Sequence, residues 1–217
     1  MTIFNSQNTV PAKGCVIWMH GLGADSSDMA SLVTEYPISE LALQHICIDA
    51  PIRPVTLNAG MRMRAWYDIV GLTLTDREDR EGILHSYNYI KDVIMEQIQA
   101  GYDSSQIALA GFSQGGAIAL YTALHCSFPL AGVIALSAYL PLVFECKPTL
   151  MKKTPIFMAS GLYDPIVLPD WSKQTKEWLI AQGFDELTWR QYPMEHAICP
   201  AEITDIASWL STHFQGV

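Results

Sequence analysis

A serine stands between two glycines in the stretch Gly111-Phe112-Ser113-Gln114-Gly115, where one apolar segment ends and another begins. Ile107 to Ala110 has the short apolar pattern of a buried strand, and the apolar residues after Gly115 recur at helical spacing. The pattern predicts a very short strand-to-helix turn, in which glycines fit on steric grounds and the hydroxyl of Ser113 projects above the sheet edge. Ser113 could therefore act as a nucleophile. The alternative is a glycine-rich turn with a solvated serine.

A serine hydroxyl becomes an effective nucleophile only when a nearby base removes its proton and a third group fixes the tautomer of that base. His196 follows one predicted strand and Asp164 follows another, which makes them candidates for the base and the acid. The chain order serine, acid, histidine recurs in hydrolases built on α/β sheets. The sequence therefore predicts a catalytic triad of Ser113, Asp164 and His196.

Other side chains compete for the base and acid roles. His20 ends a predicted strand, and we interpret it as a structural residue whose ring hydrogen-bonds its own loop. Asp170 is expected to cap a helix and Asp185 lies in a loop, so Asp164 is favoured as the acid. The remaining histidines are interpreted as surface or packing residues: His45, His85, His125 and His213.

Hydrolysis of an acyl compound also needs donors for the developing oxyanion. The residue after the serine, Gln114, would supply one backbone N–H, and Leu22 in the His20-Gly21-Leu22-Gly23 loop would supply the second. The alternative for that loop is a plain glycine turn between a strand and a helix. No group of residues has metal-ligand spacing and no dinucleotide or phosphate fingerprint occurs, so we expect no metal and no cofactor.

Strand-like and helix-like segments alternate along the chain, which predicts an α/β fold: a mostly parallel central sheet with helices on both faces. In such sheets the active site lies beyond the carboxyl ends of the strands. The predicted strands are Cys15–Met19, Ile46–Ile48, Ile107–Ala110, Gly132–Leu136, Pro155–Ala159 and Leu187–Tyr192. The predicted helices are Ser27–Tyr36, Gly82–Gln99, Gly115–His125, Trp171–Gln182 and Ala201–Phe214.

Composition narrows the class of protein. The 217 residues suit a single domain spanning 1–217, and 50% hydrophobic against 16% charged residues indicates a large core. A formal charge of -9 without a basic cluster argues against nucleic acid and against a stable membrane anchor. The five cysteines are widely spaced, and the first residues lack signal-peptide features, so we expect reduced thiols in a cytoplasmic protein.

Seven stretches, in order over almost the whole chain, resemble the acyl-protein thioesterase and carboxylesterase family of small α/β hydrolases. They are HGLG from His20, APIRPVTLN from Ala50, RAWYDI from Arg64, GFSQGGA from Gly111, Leu140-Pro141, YDPIV from Tyr163 and MEHAIC from Met194. Two positions depart from the family pattern. Ser160 stands where many members have a histidine, and Ala197 stands where a serine often follows the catalytic histidine.

The resemblance implies an α/β-hydrolase fold and a serine hydrolase of lipid metabolism that cleaves carboxylic esters and acyl thioesters through an acyl-enzyme. It carries over Ser113, Asp164 and His196 as the triad, with Leu22 and Gln114 as oxyanion donors. Substrates would be small esters, acylated proteins or lipids, and a homodimer is left open. The alternatives are a lysophospholipase-like enzyme and a non-catalytic acyl-binding protein on the same fold.

An acyl chain needs an apolar surface near the serine, and the sequence offers one after the second predicted strand. We expect Met61, Met63, Trp66, Leu72 and Leu74 to bind the substrate, because methionine adapts to varied chains. The alternative for Met63 and Trp66 is core packing. The charged run Thr75 to Glu81 suits a solvated loop, so the segment 70–81 could move as a flap.

Overall fold

A computed structural model describes residues 2–5, 11–71 and 77–214 of the chain. The strands are β1 (Thr2–Asn5), β2 (Cys15–Met19), β3 (Gln44–Ile48), β4 (Ile52–Val55), β5 (Met61–Arg64), β6 (Ile107–Phe112), β7 (Gly132–Leu136), β8 (Ile156–Gly161) and β9 (Leu187–Tyr192). A seven-stranded sheet runs in the order β1-β3-β2-β6-β7-β8-β9, and β4 and β5 form a separate hairpin. All pairings from β3 across to β9 are parallel, whereas β1 is antiparallel to β3.

Helices cover both faces of this sheet, because each central strand is apolar on both sides. They are α1 (Ser26–Thr34), α2 (Arg80–Gln99), α3 (Gln114–Leu124), α4 (Pro169–Ala181) and α5 (Pro200–Phe214). Buried residues of α2, α3 and α4 share one apolar cluster with the sheet, and those of α1 and α5 share the other. The predicted fold class is confirmed, and the carboxyl ends of the parallel strands share one rim.

The predicted strands and helices are found with shifts of at most a few residues, and three strands were missed. β1 has four residues and pairs only at the sheet edge, and the β4–β5 hairpin lies outside the main sheet. β5 is exposed or half-buried along its length, so it lacks the apolar run that marks a buried strand. No helix in the described ranges is long and apolar enough to cross a membrane.

The predicted role of Asp170 as a helix cap is wrong. The N-cap of α4 is Leu168, which makes no side-chain capping bond, and Pro169 occupies the first helical position. Proline suits that position because its missing N–H needs no acceptor there. Asp170 lies instead in the first turn, where its exposed carboxylate interacts favourably with the positive end of the helix dipole.

Candidate active site

Ser113 occupies the turn between β6 and α3 with a backbone conformation that few non-glycine residues adopt, φ 55° and ψ -123°. Its backbone is held on both sides, because its N–H donates to the Leu136 carbonyl (2.8 Å) and its carbonyl accepts from Ala117 (2.9 Å). A Cβ on Gly111 would lie 2.4 Å from the Gly115 carbonyl carbon, and a Cβ on Gly115 would lie 2.2 Å from the Met19 oxygen. The steric interpretation of these two glycines is therefore confirmed.

The structure brings the three predicted triad side chains together in one hydrogen-bonded chain. Nε2 of His196 lies 2.8 Å from Oγ of Ser113, and Nδ1 lies 2.7 Å from Oδ2 of Asp164. The imidazole is thus placed to accept the serine proton while its other nitrogen donates to the carboxylate. The catalytic roles of these residues stay predictions.

The carboxylate of Asp164 is buried, with 2% of the residue exposed. Its Oδ1 accepts backbone N–H bonds from Ile166 (2.8 Å) and Val167 (2.9 Å), which leaves Oδ2 directed at His196. The rival carboxylates, Asp170 and Asp185, are both exposed. Asp164 therefore places a fixed, buried carboxyl group behind the imidazole.

The loops that carry Asp164 and His196 pack against each other. Tyr163 donates its backbone N–H to the Met194 carbonyl (3.0 Å), and Leu162 donates to Tyr192 (2.8 Å). A Cβ on Gly161 would lie 2.3 Å from the Glu195 carbonyl, so the glycine permits this close approach. The His196 ring also contacts Phe112, with ring centroids 4.7 Å apart.

Leu22 and Gln114, the residues that carry the two predicted oxyanion donors, both line a cavity beside Ser113. Gln114 is the first residue of α3, where backbone N–H groups have no intrahelical partner. Within the described ranges, neither the Leu22 nor the Gln114 backbone N–H has an acceptor. Both groups are therefore free to donate to a substrate oxygen.

His20 packs beneath this loop and is completely buried. Its Nδ1 lies 2.7 Å from the Gly21 carbonyl oxygen, and its Nε2 accepts the backbone N–H of Ala50 (3.0 Å). The interpretation of His20 as a residue whose ring bonds its own loop is confirmed. Burial lowers the pKa of the imidazole, which agrees with the unprotonated Nε2 that the Ala50 contact requires.

A cavity of about 610 Å³ opens beside Ser113. Its walls are mostly apolar, with contributions from α1, from the loop after β5, from the loop after β7 and from the loop between β8 and α4. The lining residues are Gly21, Leu22, Ala24, Asp28, Met29, Leu57, Ile69, Gly71, Phe112, Ser113, Gln114, Tyr139, Pro165, Ile166, Val167, Leu168, Trp171 and His196.

The lining of this cavity differs from the predicted acyl-binding surface. Of its members within the described residues, Met61, Met63 and Trp66, none lines this cavity. Met61 is 65% exposed on the hairpin, Sδ of Met63 lies 3.2 Å from Nδ2 of Asn58, and Trp66 is fully buried. Core packing is thus the correct alternative for Trp66. Leu72 and Leu74 lie outside the described residues.

Residues of the cavity wall that sequence reasoning missed come from several separate segments, including Met29, Tyr139 and Trp171. Their only shared signal is position, because each follows or flanks the carboxyl end of a parallel strand. The clearest signal in the sequence was the pair of large apolar residues Ile166 and Leu168 close behind Asp164. Both are exposed in the structure, and clustered exposed apolar side chains commonly mark a binding site.

The charged run before α2 is not a solvated loop throughout. Arg80 and Glu81 begin the helix, and Asp79 caps it by accepting the backbone N–H of Gly82 (2.9 Å). Glu78 is half-buried and accepts the backbone N–H of Leu142 (2.8 Å). The proposed flap includes residues 72–76, which lie outside the described residues.

The two departures from the family pattern lie apart from the triad bonds. Ser160 is fully buried at the end of β8, with Nε2 of Gln191 at 3.5 Å from its Oγ. Ala197 is exposed, and its backbone N–H donates to the Glu195 carbonyl (3.0 Å). Neither position interrupts the contacts of His196 with Ser113 and Asp164.

Comparison with known proteins gives a consistent result. Residues 4–214 match the family model described as Phospholipase/Carboxylesterase. Acyl-protein thioesterase 1 of Yarrowia lipolytica is 34% identical, with 95% of this chain and 96% of that protein covered. Acyl-protein thioesterase 1 of Neurospora crassa is 37% identical, with 90% and 85% covered. The crystal structure of Arabidopsis thaliana SOBER1 is 27% identical with a TM-score of 0.86, covering 93% of this chain and 99% of its own.

Proposed function

The chain belongs to the phospholipase/carboxylesterase family of α/β hydrolases and is a hydrolase, and from that premise we propose that it cleaves acyl esters and thioesters with Ser113 as the nucleophile. The observation that carries this proposal is the hydrogen-bonded chain from Ser113 through His196 to Asp164, which opens on an apolar cavity.

In the first half-reaction, Oγ of Ser113 attacks the substrate carbonyl carbon while Nε2 of His196 accepts the serine proton. The electrons of the carbonyl π bond move to the carbonyl oxygen, which becomes an oxyanion. The buried carboxylate of Asp164 stabilises the imidazolium. When the tetrahedral intermediate collapses, the bond to the leaving oxygen or sulfur breaks and His196 returns its proton to that atom. The acyl group is then esterified to Ser113.

In the second half-reaction, water takes the place of the alcohol or thiol. His196 removes a proton from the water as it attacks the acyl-serine carbonyl. When this second tetrahedral intermediate collapses, the bond between the acyl carbon and Oγ of Ser113 breaks and His196 returns the proton to Oγ. The carboxylic acid leaves and the enzyme is restored. The backbone N–H groups of Leu22 and Gln114 donate to the oxyanion in both steps, and each such donor contributes roughly 10²–10³ in kcat.

The substrate is an acyl compound whose chain occupies the cavity of about 610 Å³ and whose leaving group lies towards solvent. Two relatives carry the name acyl-protein thioesterase, which favours a fatty-acylated protein cysteine as the natural substrate group and its thiol as the leaving group. A lysophospholipid is the alternative, since the same serine chemistry cleaves its ester. A cytoplasmic location suits the protein-thioesterase role.

Hydrolysis of matched oxyesters and thioesters, from acetyl to palmitoyl, tests this proposal. Each methylene buried in the cavity is worth about 0.8 kcal/mol, so kcat/KM should rise by up to about fourfold per methylene until the cavity is filled. Binding of acyl compounds without any turnover would instead indicate a non-catalytic acyl-binding protein. Lysophospholipid turnover that exceeds thioester turnover would reassign the leaving group.

A further inference from the structure

The direction of the Leu22 N–H is set by the peptide bond to which it belongs. That peptide joins Gly21 to Leu22, and in a trans peptide the C=O and N–H point in opposite directions. The Gly21 carbonyl oxygen lies 2.7 Å from Nδ1 of His20, and it also accepts the backbone N–H of Ala24 at the longer distance of 3.3 Å. A carbonyl held on the buried side therefore turns the Leu22 N–H towards the cavity that Leu22 lines.

The second ring contact fixes which nitrogen of His20 carries the proton. The Ala50 backbone N–H can only donate, so Nε2 (3.0 Å away) must present its lone pair. In a neutral imidazole the proton then resides on Nδ1, where it can be donated to the Gly21 carbonyl. The Ala50 contact thus supplies the tautomer that the Gly21 contact requires.

The same loop is held on its other side by Trp66. The indole Nε1 donates to the His20 carbonyl oxygen (2.8 Å), and the two rings pack with centroids 5.5 Å apart. The Gly23 backbone N–H donates to the Arg64 carbonyl (2.8 Å). The peptides before and after the Gly21–Leu22 peptide are therefore held as well.

Trp66 also links this loop to the second candidate donor. The buried side chain of Gln114 accepts the Trp66 backbone N–H through Oε1 (2.8 Å) and donates through Nε2 to the Tyr67 carbonyl (2.7 Å). The backbone N–H of Gln114 is thus one candidate oxyanion donor. Its side chain is hydrogen-bonded to Trp66, which holds the loop that carries the other candidate donor, Leu22.

We propose that His20 is a positioning residue for catalysis, whose Nδ1–H tautomer orients the Gly21–Leu22 peptide so that the Leu22 N–H meets the substrate oxyanion. Trp66 and the Gln114 side chain hold the two donors at a fixed separation. This proposal rests on the proposed function, because it assigns a role in stabilising the oxyanion of that reaction.

Three substitutions at His20 separate positioning from general stability. His20→Ala removes both ring contacts, and kcat should fall by about 10²-fold with KM little changed, as for loss of one oxyanion donor. His20→Asn keeps a donor near the position of Nδ1 and should recover most of the lost kcat. His20→Gln extends its amide towards the position of Nε2 and should stay near the level of His20→Ala.

His45→Asn is the matched control for loss of a buried histidine. His45 is 2% exposed and accepts the indole N–H of Trp18 (3.0 Å), a second buried tryptophan–histidine pair. This variant should lose thermal stability but keep the wild-type kcat per folded molecule. A purely structural role for His20 would give the same pattern in the His20 variants, and that result would overturn the proposal.

The tautomer provides a test that needs no variant. Nitrogen chemical shifts of ¹⁵N-histidine-labelled wild-type protein, with the His20 signal assigned, should show protonated Nδ1 and unprotonated Nε2. A protonated Nε2 would overturn the proposal even if every His20 variant failed to fold. If Ser113→Ala abolishes turnover while folded His20→Ala keeps the wild-type kcat, the positioning role is rejected and the proposed function stands. Absence of wild-type turnover on every ester and thioester would reject both.

Discussion

Asp164 and His196 meet because β8 and β9 are adjacent parallel strands in a fixed register. Gly161 pairs with Tyr192 at the last position of the two strands, and the two side chains follow within a few residues. The 2.7 Å contact between Nδ1 of His196 and Oδ2 of Asp164 therefore depends on the sheet register and on the short loops beyond it. Two loops from neighbouring strands thus fix the orientation of the candidate base.

Asp164→Asn should reduce kcat by about 10⁴-fold with the fold retained, because an amide supports the wrong imidazole tautomer and cannot stabilise an imidazolium. Steady-state kinetics on a short-chain ester measures this loss. Asp170→Asn is the matched control, since Asp170 is exposed in the first turn of α4 and makes no capping bond. If the Asp170 variant loses activity while the Asp164 variant keeps it, the acid has been misassigned.

Leu57→Ser combined with Ile166→Ser should lower kcat/KM for long-chain esters much more than for acetyl esters. Both residues line the cavity beside Ser113 and are partly exposed, so the substitutions remove apolar wall without opening the core. The loss should grow with chain length, at up to about 0.8 kcal/mol for each methylene that loses its contact.

Met61→Ser is the control for that double variant, because Met61 is 65% exposed but does not line the cavity. Its chain-length profile should match that of the wild type. A wild-type profile in the double variant would contradict binding of the acyl chain in the cavity, and a shift caused by Met61→Ser would place the chain on the surface of β5 instead.

Glu202→Gln should stabilise the protein relative to the wild type, and this gain in the free energy of unfolding should grow as the pH rises. The Glu202 carboxyl is fully buried in the first turn of α5, and burial raises its pKa to about 8. The Cys199 backbone N–H lowers that pKa in part, although no described group reaches hydrogen-bonding geometry with either carboxyl oxygen.

The sign follows from proton binding. The folded state keeps the Glu202 proton up to about pH 8, whereas the unfolded state loses it near the ordinary value of 4.5. The stability from this group is present below that lower value and is lost as the pH rises towards 8. In urea unfolding, the free energy of unfolding of the variant should rise relative to that of the wild type across this window, by at most about 1.4 kcal/mol per pH unit. Glu96→Gln, at an exposed site on α2, should give a curve parallel to that of the wild type, and the same parallel curve from Glu202→Gln would contradict the prediction.

Ser113, Asp164 and His196 could be singled out from the sequence because each of them has a local signal, and the structure places their side chains in one hydrogen-bonded chain. The glycines around Ser113 report a steric restriction in the turn, and Asp164 and His196 each follow an apolar strand. The alternation of strands and helices was sufficient to predict the sheet and the rim on which these residues meet. Local signals thus fix both the fold class and the candidate catalytic chain.

The cavity beside Ser113 could not be predicted in the same way, because its wall comes from segments far apart in the chain. The apolar composition of the stretch around Met61 and Trp66 was a real signal, but it reflects an exposed hairpin strand and a buried indole. Trp66 is held by its indole bond to the His20 carbonyl and by the Gln114 side chain. Such long-range contacts leave no periodic pattern in the sequence.

The most direct test of the account is capture of the acyl-enzyme on Ser113. Wild-type protein quenched in acid during turnover of a slow thioester should gain the mass of one acyl group, and peptide mapping should place that group on Ser113. Ser113→Ala should fold normally, lose about 10⁴-fold or more in kcat and carry no acyl group. Full turnover by folded Ser113→Ala, or an acyl group found on another residue, would contradict the assignment of Ser113 as the nucleophile.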